Sequence, residues 1–341
     1  MAARRGDTLL FPAPPVVAAH AAIGGKKEGE GPLAACFDEL SADNFFGQSN
    51  WEAAEKEMAL RAARLCLKKA KTTPDNVSLA LAGDLQAQCT ASSYALRELG
   101  IPFVGLFGAC STMAEALGLG AALCSAGMAD GLLAMTSSHF CAAERQFRTP
   151  LSYGAVRTPT AQWTATAAGA CLLRPAGEGV QLCAATFGRV QDYKIKDINN
   201  MGAAMAPAAA ATLLRYLKDT GSAPADFDRI YTGDLGHVGS QLLRDLLAAE
   251  GLLLKNHVDC GCILYDAAEQ TVKSGGSGPG CCASVLCGHI LPRLEKGTQK
   301  RVLFIATGAL MSQTTFLQKE SIPAIAHLVE LRSPQQKEEN G

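Results

Sequence analysis

The chain has 341 residues, of which 48% are hydrophobic and 18% are charged, and its formal net charge is −1. This composition is typical of a globular protein with one large core or two fused domains, and it excludes a disordered chain. Because the basic residues are scattered and the net charge is close to zero, we expect no nucleic-acid partner.

The cysteines and the N-terminal segment indicate the cellular compartment. The 13 cysteines are an odd number and lie among apolar residues, so we expect reduced thiols instead of disulfides. Residues 9–19 contain three prolines and lack the apolar core of a signal peptide. The uncharged stretch at 116–129 is too short to span a bilayer. We therefore predict a soluble chain that is not secreted by a signal peptide.

The first part of the chain predicts helices that alternate with strands. An amphipathic helix is expected at 50–71, and a short apolar strand at 101–107. Gly108 then permits a sharp bend, and Cys110 stands where a buried helix at 111–126 begins. Free N–H groups and the positive end of the helix dipole would favour a thiolate at this position.

The later elements follow the same alternation. A polar insertion with several arginines is expected at 139–165, after the strand at 132–136. Further helices are expected at 207–218, with Pro207 in its first turn, and at 241–250. The segment from 332 to the C-terminus is polar, and we expect it to fray.

The chain is internally duplicated. Gly83-Asp84 recurs as Gly233-Asp234, and the turn at Cys110 recurs at Cys281. At the second of these spacings, the strand at 132–136 falls on 303–307 without a gap. We therefore predict two halves at 1–175 and 176–332, followed by a polar tail at 333–341. Each half should form a mostly parallel sheet, with the two turn helices between the stacked sheets.

Five further motifs are informative: FGACST at 107–112, TSSH at 136–139, AERQFR at 143–148, MGAAMAPAAA at 201–210 and TGDL at 232–235. These motifs resemble those of the stage V sporulation protein AD family, and the resemblance extends over about residues 8–330. The resemblance implies an α/β fold, the thiolase-like duplicated five-layer α/β/α/β/α sandwich, and a homodimer. It implies binding of dipicolinic acid, or of its calcium chelate, for uptake into the developing spore. It also implies peripheral association with the spore inner membrane, alongside the AC- and AE-type stage V sporulation membrane proteins.

The sequence favours binding over catalysis. A thiolase-type site needs a base for its cysteine, and the loop at 274–281 contains neither histidine nor asparagine. Asp234 stands about where related synthases place a histidine. We therefore predict no enzyme activity, no cofactor and no metal site of the chain's own. One alternative is an acyl-CoA condensing enzyme with Cys110 as its nucleophile. Another is a structural subunit whose pocket is vestigial.

A dipicolinate site should offer cationic groups, neutral donors and a flat apolar wall. The expected ligand-binding residues are Cys110, Ser111, His139, Arg145, Arg148, Asp84, Lys26, Asp234 and Gly276. The N–H groups of Cys110 and Ser111 would hold a carboxylate, and the glycine loop at 275–280 would approach the flat ligand. Structural roles remain open for several of these residues. The two aspartates suit turns or caps, and the arginines suit ion pairs with Glu144 or across a dimer.

Overall fold

The computed structural model describes residues 2–147 and 157–334. Arg148 and residues 335–341 of the polar tail lie outside the described residues. The strands are β1 Ala3–Arg5, β2 Thr8–Leu10, β3 Val16–Gly24, β4 Glu39–Leu40, β5 Leu79–Gly83, β6 Phe103–Gly105, β7 Leu132–Ser138, β8 Trp163–Thr164, β9 Ala167–Arg174, β10 Val180–Thr186, β11 Arg229–Thr232, β12 His257–Asp259, β13 Gly276–Ser277, β14 Arg301–Ala309 and β15 Ala324–Arg332.

The helices alternate with the strands, and each of the four helices predicted with bounds from the sequence overlaps one of them. The helices are α1 Lys26–Gly29, α2 Trp51–Lys69, α3 Thr90–Leu99, α4 Thr112–Ser125, α5 Phe140–Phe147, α6 Met201–Thr220, α7 Gly236–Ala249, α8 Cys260–Leu264, α9 Pro279–Val285, α10 Leu291–Glu295 and α11 Gln313–Leu317. A π-helical turn at Leu286–Ile290 joins α9 to α10.

Two helices begin earlier than predicted. Helix α6 begins at Met201, so Pro207 lies inside it and not in its first turn. The side chain of Asn200 accepts the N–H of Ala203 and caps this earlier start. Helix α7 begins at Gly236, directly after the turn that contains Asp234.

Both halves of the chain have the same strand order. In the first half the strands lie in the order β3-β9-β7-β5-β6, and in the second half in the order β10-β15-β14-β11-β12. If only these five strands of each half are numbered along the chain, both orders are first, fifth, fourth, second and third. The two sets join where β3 pairs antiparallel with β10, with Val17 opposite Val180.

The sheets are mixed, and the prediction of mostly parallel sheets is wrong. Strand β5 pairs in parallel with β6 and β7, but β9 is antiparallel to both β7 and β3. The first residue of β9, Ala167, lies opposite Ser138, the last residue of β7. In the same way β15 starts opposite the end of β14, with Ala324 beside Ala309. The chain turns back at the end of the sheet in each half, so the intervening helices do not form a crossover.

The five predicted layers of secondary structure are present, and they pack around three apolar clusters. Helices α2 and α3 cover the outer face of the first sheet, and α6 and α7 cover the outer face of the second. Helices α4 and α9 lie in the core between the sheets. Small residues permit this position for α4. A Cβ atom at Gly120 would meet Leu173 at 2.7 Å, and one at Gly118 would meet Ala185 at 3.1 Å, so glycine lets both sheets approach.

No helix in the described parts of the chain is both long and apolar enough to cross a lipid bilayer.

Candidate functional site

The duplicated Gly-Asp turns meet at one edge of the molecule. Asp84 follows β5, Asp234 follows β11, and Cys110 lies in a short 3-10 turn, Ala109–Ser111, that leads into α4. Asp84 and Cys110 line one cleft and Asp234 adjoins Cys110, so the two turns surround a common space beyond the carboxyl ends of β5 and β11, which is where α/β sheets bind ligands.

The turn before α4 bends at Ala109 and not at Gly108. The φ angle of Ala109 is 50°, in the left-handed region, whereas that of Gly108 is −79°. Glycine at 108 is required for space instead. A Cβ atom there would lie 2.5 Å from the Glu115 carboxyl and 2.7 Å from the Ser111 hydroxyl. The backbone is therefore packed closely against the first turn of α4.

Ser111 is engaged within the same turn. Its backbone N–H donates to the Gly108 carbonyl at 3.0 Å, and its Oγ donates to the same oxygen at 2.6 Å. The sequence analysis predicted that this N–H would bind a ligand carboxylate. Because the 3-10 turn closes on Gly108, the N–H already has a partner in the fold.

The thiol of Cys110 is buried, and its pKa lies well above the usual value. Burial is the main cause, and the negative charge of Asp234 adds to it. The closeness of the Asp234 carboxyl to the thiol thus favours the protonated form of Cys110. The expected preference for a thiolate at the helix start is therefore reversed.

Asp234 is fully buried behind Cys110 and ties together three segments. Its Oδ1 accepts from the Thr307 hydroxyl at 2.8 Å. Its Oδ2 accepts from the Gly278 N–H at 2.9 Å and from the Ser277 hydroxyl at 3.1 Å. Burial raises the pKa of Asp234, and these hydrogen bonds act in the opposite direction. Asp234 thus fixes the glycine loop against β14.

Asp84 has the corresponding position in the first half, and its side chain binds the N–H groups near the start of α3. Its carboxylate accepts the N–H of Gln86 at 2.9 Å, and the N–H and hydroxyl of Ser92 at 2.8 and 2.7 Å. Behind it, Gln86 donates to the buried carboxyl of Glu55 at 2.7 Å. Burial, with a smaller contribution from Asp84, raises the pKa of Glu55 to about 8.

The open space above Cys110 is a cleft of about 570 Å³, which we call the Cys110 cleft. Apolar and neutral polar side chains dominate its lining: Leu85, Phe107, Met201, Leu310, Met311, Gln86, Gln88, Gln146, Thr164 and Ser277. Among the described lining residues, Asp84 is the charged one, and none is lysine, arginine or histidine. The cleft can hold a small molecule by neutral hydrogen bonds and apolar contact.

Comparison with known proteins shows the family. The family model described as stage V sporulation protein AD matches residues 5–332. Stage V sporulation protein AD of Bacillus subtilis (strain 168) is 42% identical over 322 residues, which cover 94% of this chain and 95% of that protein. The chain belongs to the stage V sporulation protein AD family.

Solved structures show that this family member has a thiolase-like fold. OleA of Xanthomonas campestris with bound cerulenin superposes with a TM-score of 0.60 at 15% identity, covering 97% of this chain and 99% of OleA. 3-Oxoacyl-[acyl-carrier-protein] synthase III of Aquifex aeolicus VF5 gives a TM-score of 0.57 at 12% identity, covering 93% and 99%. At these identities the likeness establishes the fold and not the chemistry.

Of the site residues predicted for this member of the stage V sporulation protein AD family, the structure places Cys110 and Asp84 on the cleft and Asp234 directly behind it. The lining does not include Lys26, which is exposed at the start of α1, or Gly276, which is buried beside the lining residue Ser277. At the equivalent turn of the second half, Cys281 and its neighbour Cys282 are fully buried.

Two further predicted residues have partners away from the cleft. The His139 ring is buried, bonds to the Asn44 carbonyl at 2.8 Å and packs 5.3 Å from the Trp51 ring. Arg145 forms an ion pair with Glu52. Arg145 is therefore not on the lining of the cleft, although its neighbour Gln146 is. Ligand contact by these residues stays a prediction.

Sequence reasoning missed the segment after β14. Leu310, Met311 and the first three residues of α11, Gln313 to Thr315, form one side of the cleft. A signal was available, because a strand was predicted at 303–307 and ligands of α/β sheets bind beyond the carboxyl ends of such strands. The glutamines at 86 and 88 were not predicted, because their positions in the sequence match no motif of a binding site.

Proposed function

We propose that the Cys110 cleft binds dipicolinic acid without changing it chemically, for uptake of this acid into the developing spore. Family membership supports the biological setting. The observation that carries the proposal is the burial of the Cys110 thiol beside the buried carboxyl of Asp234, which together raise the pKa of the thiol. A thiol held protonated in this way is a poor nucleophile, while the cleft above it remains large enough for a small ligand.

The charge of the lining favours the calcium chelate as the bound form. Dipicolinate is a flat pyridine with two carboxylates, and Asp84 on the lining would repel this dianion. The one-to-one calcium chelate is neutral, and its hard cation prefers oxygen ligands such as the Asp84 carboxylate. The apolar side chains of Phe107 and Met311 can pack against the pyridine ring of the ligand. The glutamines of the lining can donate hydrogen bonds to its carboxylate oxygens.

Calorimetry of the full chain tests this proposal. Dipicolinate with equimolar calcium should give saturable heat, and binding should be at least about tenfold weaker in EDTA, since only the dianion is then present. Met311→Trp fills the cleft and should abolish the calcium-dependent part of the heat. Leu317→Trp, at an exposed position of α11 off the lining, should not. Unchanged binding by Met311→Trp would exclude the cleft as the site. Arg145→Ala in the same titration tests the prediction for that residue.

Acyl transfer is the second candidate function, because Cys110 lines the cleft and the OleA and synthase structures share the fold. None of the chain's six histidines, all of which lie in the described part, is on the lining. Mass spectrometry after incubation with an acyl-CoA separates the functions. A thioester at Cys110, lost in Cys110→Ser, would support the condensing enzyme.

We also propose that the chain forms a homodimer through strand β6. This strand ends the first-half sheet, and its outer edge presents Val104, which is 44% exposed. Phe107, which follows it, is 68% exposed. Unpaired strand edges accept another strand readily, and antiparallel pairing of two β6 strands would bury these side chains. Docking to the AC- and AE-type membrane proteins at the spore inner membrane, which family membership supports, stays a proposal.

A further inference from the structure

A second cavity opens at the other end of the second-half sheet. Its volume is about 490 Å³, and we call it the arginine groove. Its polar lining residues are Arg229, Tyr231, His289, Arg293 and Gln299, and its apolar ones include Leu33, Val258 and Ile263. Arg229 is the first residue of β11, whereas the turn at the Cys110 cleft follows the last residue of that strand. The groove and the cleft have no described lining residue in common, so they are separate sites.

The polar groups of the groove are hydrogen-bond donors. Nδ1 of His289 accepts from Nη1 of Arg293 at 2.8 Å, which places the ring proton on Nε2. Burial and the nearby Arg293 lower the pKa of His289 to about 4, so the ring stays neutral and Nε2–H donates. The hydroxyl of Tyr231 accepts from Gln299 at 2.8 Å, which leaves its own proton for another acceptor.

The groove is also positively charged. Its described lining contains two arginines and no aspartate or glutamate. Burial raises the pKa of Tyr231, and the charges of Arg293 and Arg229 oppose that rise, so both arginines act on this hydroxyl. The adjacent carboxylate, Asp228, accepts the backbone N–H groups of Lys300 and Arg301 at 2.6 and 2.9 Å. A ligand of the groove should therefore carry negative charge.

We propose that the arginine groove is a second binding site of this chain, for a small planar aromatic carboxylate. The guanidinium groups would hold the carboxylate by paired N–H donors. The Tyr231 ring and the side chains of Leu33 and Val258 would cover the flat ring of the ligand. The volume is within the usual range of small-molecule sites. The proposal holds whether or not dipicolinate binds in the Cys110 cleft.

Dipicolinate in EDTA is the probe, because the free dianion suits the groove and not the cleft. The full chain with Met311→Trp, which blocks the cleft, should still bind this dianion. Adding Arg293→Gln or Arg229→Gln should weaken binding at least about tenfold, the size expected for a lost charge-assisted hydrogen bond. Arg64→Gln removes an equal charge from the exposed face of α2 and should change nothing. Unchanged binding by Arg293→Gln would overturn the groove proposal.

The half-buried thiol of Cys262 provides an independent measurement, because it lines the groove. Dipicolinate should slow its alkylation several-fold, as read by peptide mass spectrometry. The half-buried Cys183, away from the groove, should be unaffected. If phosphatidylglycerol vesicles protect Cys262 and dipicolinate does not, the groove binds a membrane surface and the proposal fails. The calcium-chelate titration of Met311→Trp tests the cleft separately. A negative result for one proposed site therefore leaves the proposal for the other site unaffected.

Discussion

At Cys110, two physical effects act on one thiol in opposite directions. The start of α4 favours a negative charge, by an amount that is typically about 1 kcal/mol. Removal of the thiolate from water costs more, and the nearby carboxyl of Asp234 adds repulsion. The proton therefore stays on sulfur, and a position typical of a nucleophile becomes part of a binding surface.

Asp234→Asn should make Cys110 more reactive. The change removes the negative charge that adds to the effect of burial, so the pKa of the Cys110 thiol should fall, although it stays above its usual range. Each unit of that fall increases the thiolate fraction about tenfold. Peptide mass spectrometry of iodoacetamide labelling at pH 8.5 should show several-fold faster modification of Cys110.

The matched control is Asp84→Asn, at the corresponding turn of the first half. It should leave the labelling rate of Cys110 near that of the unchanged chain. Equal or slower labelling of a folded Asp234→Asn protein would contradict the assigned role of Asp234. A thermal melt confirms folding, since Asp234 also accepts hydrogen bonds from Thr307 and Gly278.

Single residues could be predicted from the sequence where the backbone alone determines their position. Asp84, Cys110 and Asp234 follow the carboxyl ends of β5, β6 and β11, and the stacking of the two duplicated halves brings these ends together. Arg145 and His139 depend on where a side chain points after several turns of chain. Arg145 pairs with the carboxylate of Glu52, and His139 bonds to the carbonyl of Asn44. These partners are distant in the sequence, so no local sequence pattern predicts them.

At the scale of elements, the alternation of strands and helices identified the layers but not every strand direction. Helices α5 and α11 follow β7 and β14 as crossover helices would, yet the next strands begin opposite the residues where β7 and β14 end. The periodicity of a helix does not show whether it crosses a sheet face or lies at its end. The direction of β9 and β15 therefore emerges only in the folded chain.

Helix α2 packs on the first sheet through a buried carboxyl, and this should make stability depend on pH. Glu55 accepts from Ser137 on β7 at 3.0 Å, and its pKa is raised from 4.5 to about 8. Between these values the folded state keeps a proton that the unfolded chain releases. Stability is thus highest at low pH and falls as pH rises, by up to about 1.4 kcal/mol per pH unit from this group.

Glu55→Gln should remove that contribution. Urea unfolding at several pH values from 5 to 8 should give a shallower fall in the free energy of unfolding than in the unchanged chain. Glu57→Gln, on the same helix but in an ion pair with Arg61, serves as the control. If both variants show the same pH slope, Glu55 is not the titrating group.

For the whole molecule, duplication places equivalent strands at opposite sides of a shared core. The two halves nevertheless contribute to different cavities and surfaces. The Cys110 cleft draws on residues after β5, β6 and β14, from both halves. The arginine groove draws mainly on the second half, near the edge strand β12. The equivalent edge strand of the first half, β6, remains available for another chain.

Val104→Glu should convert the proposed dimer into a monomer. A charge on the outer edge of β6 would repel the same residue of a second copy across the two-fold axis and leave it unpaired in an apolar interface. Light scattering coupled to gel filtration should give about twice the chain mass of 35.6 kDa for the unchanged protein, and about that mass for the variant. Val190→Glu, at an exposed position away from this edge, should remain dimeric. A Val104→Glu protein that keeps the dimer mass would exclude β6 as the interface.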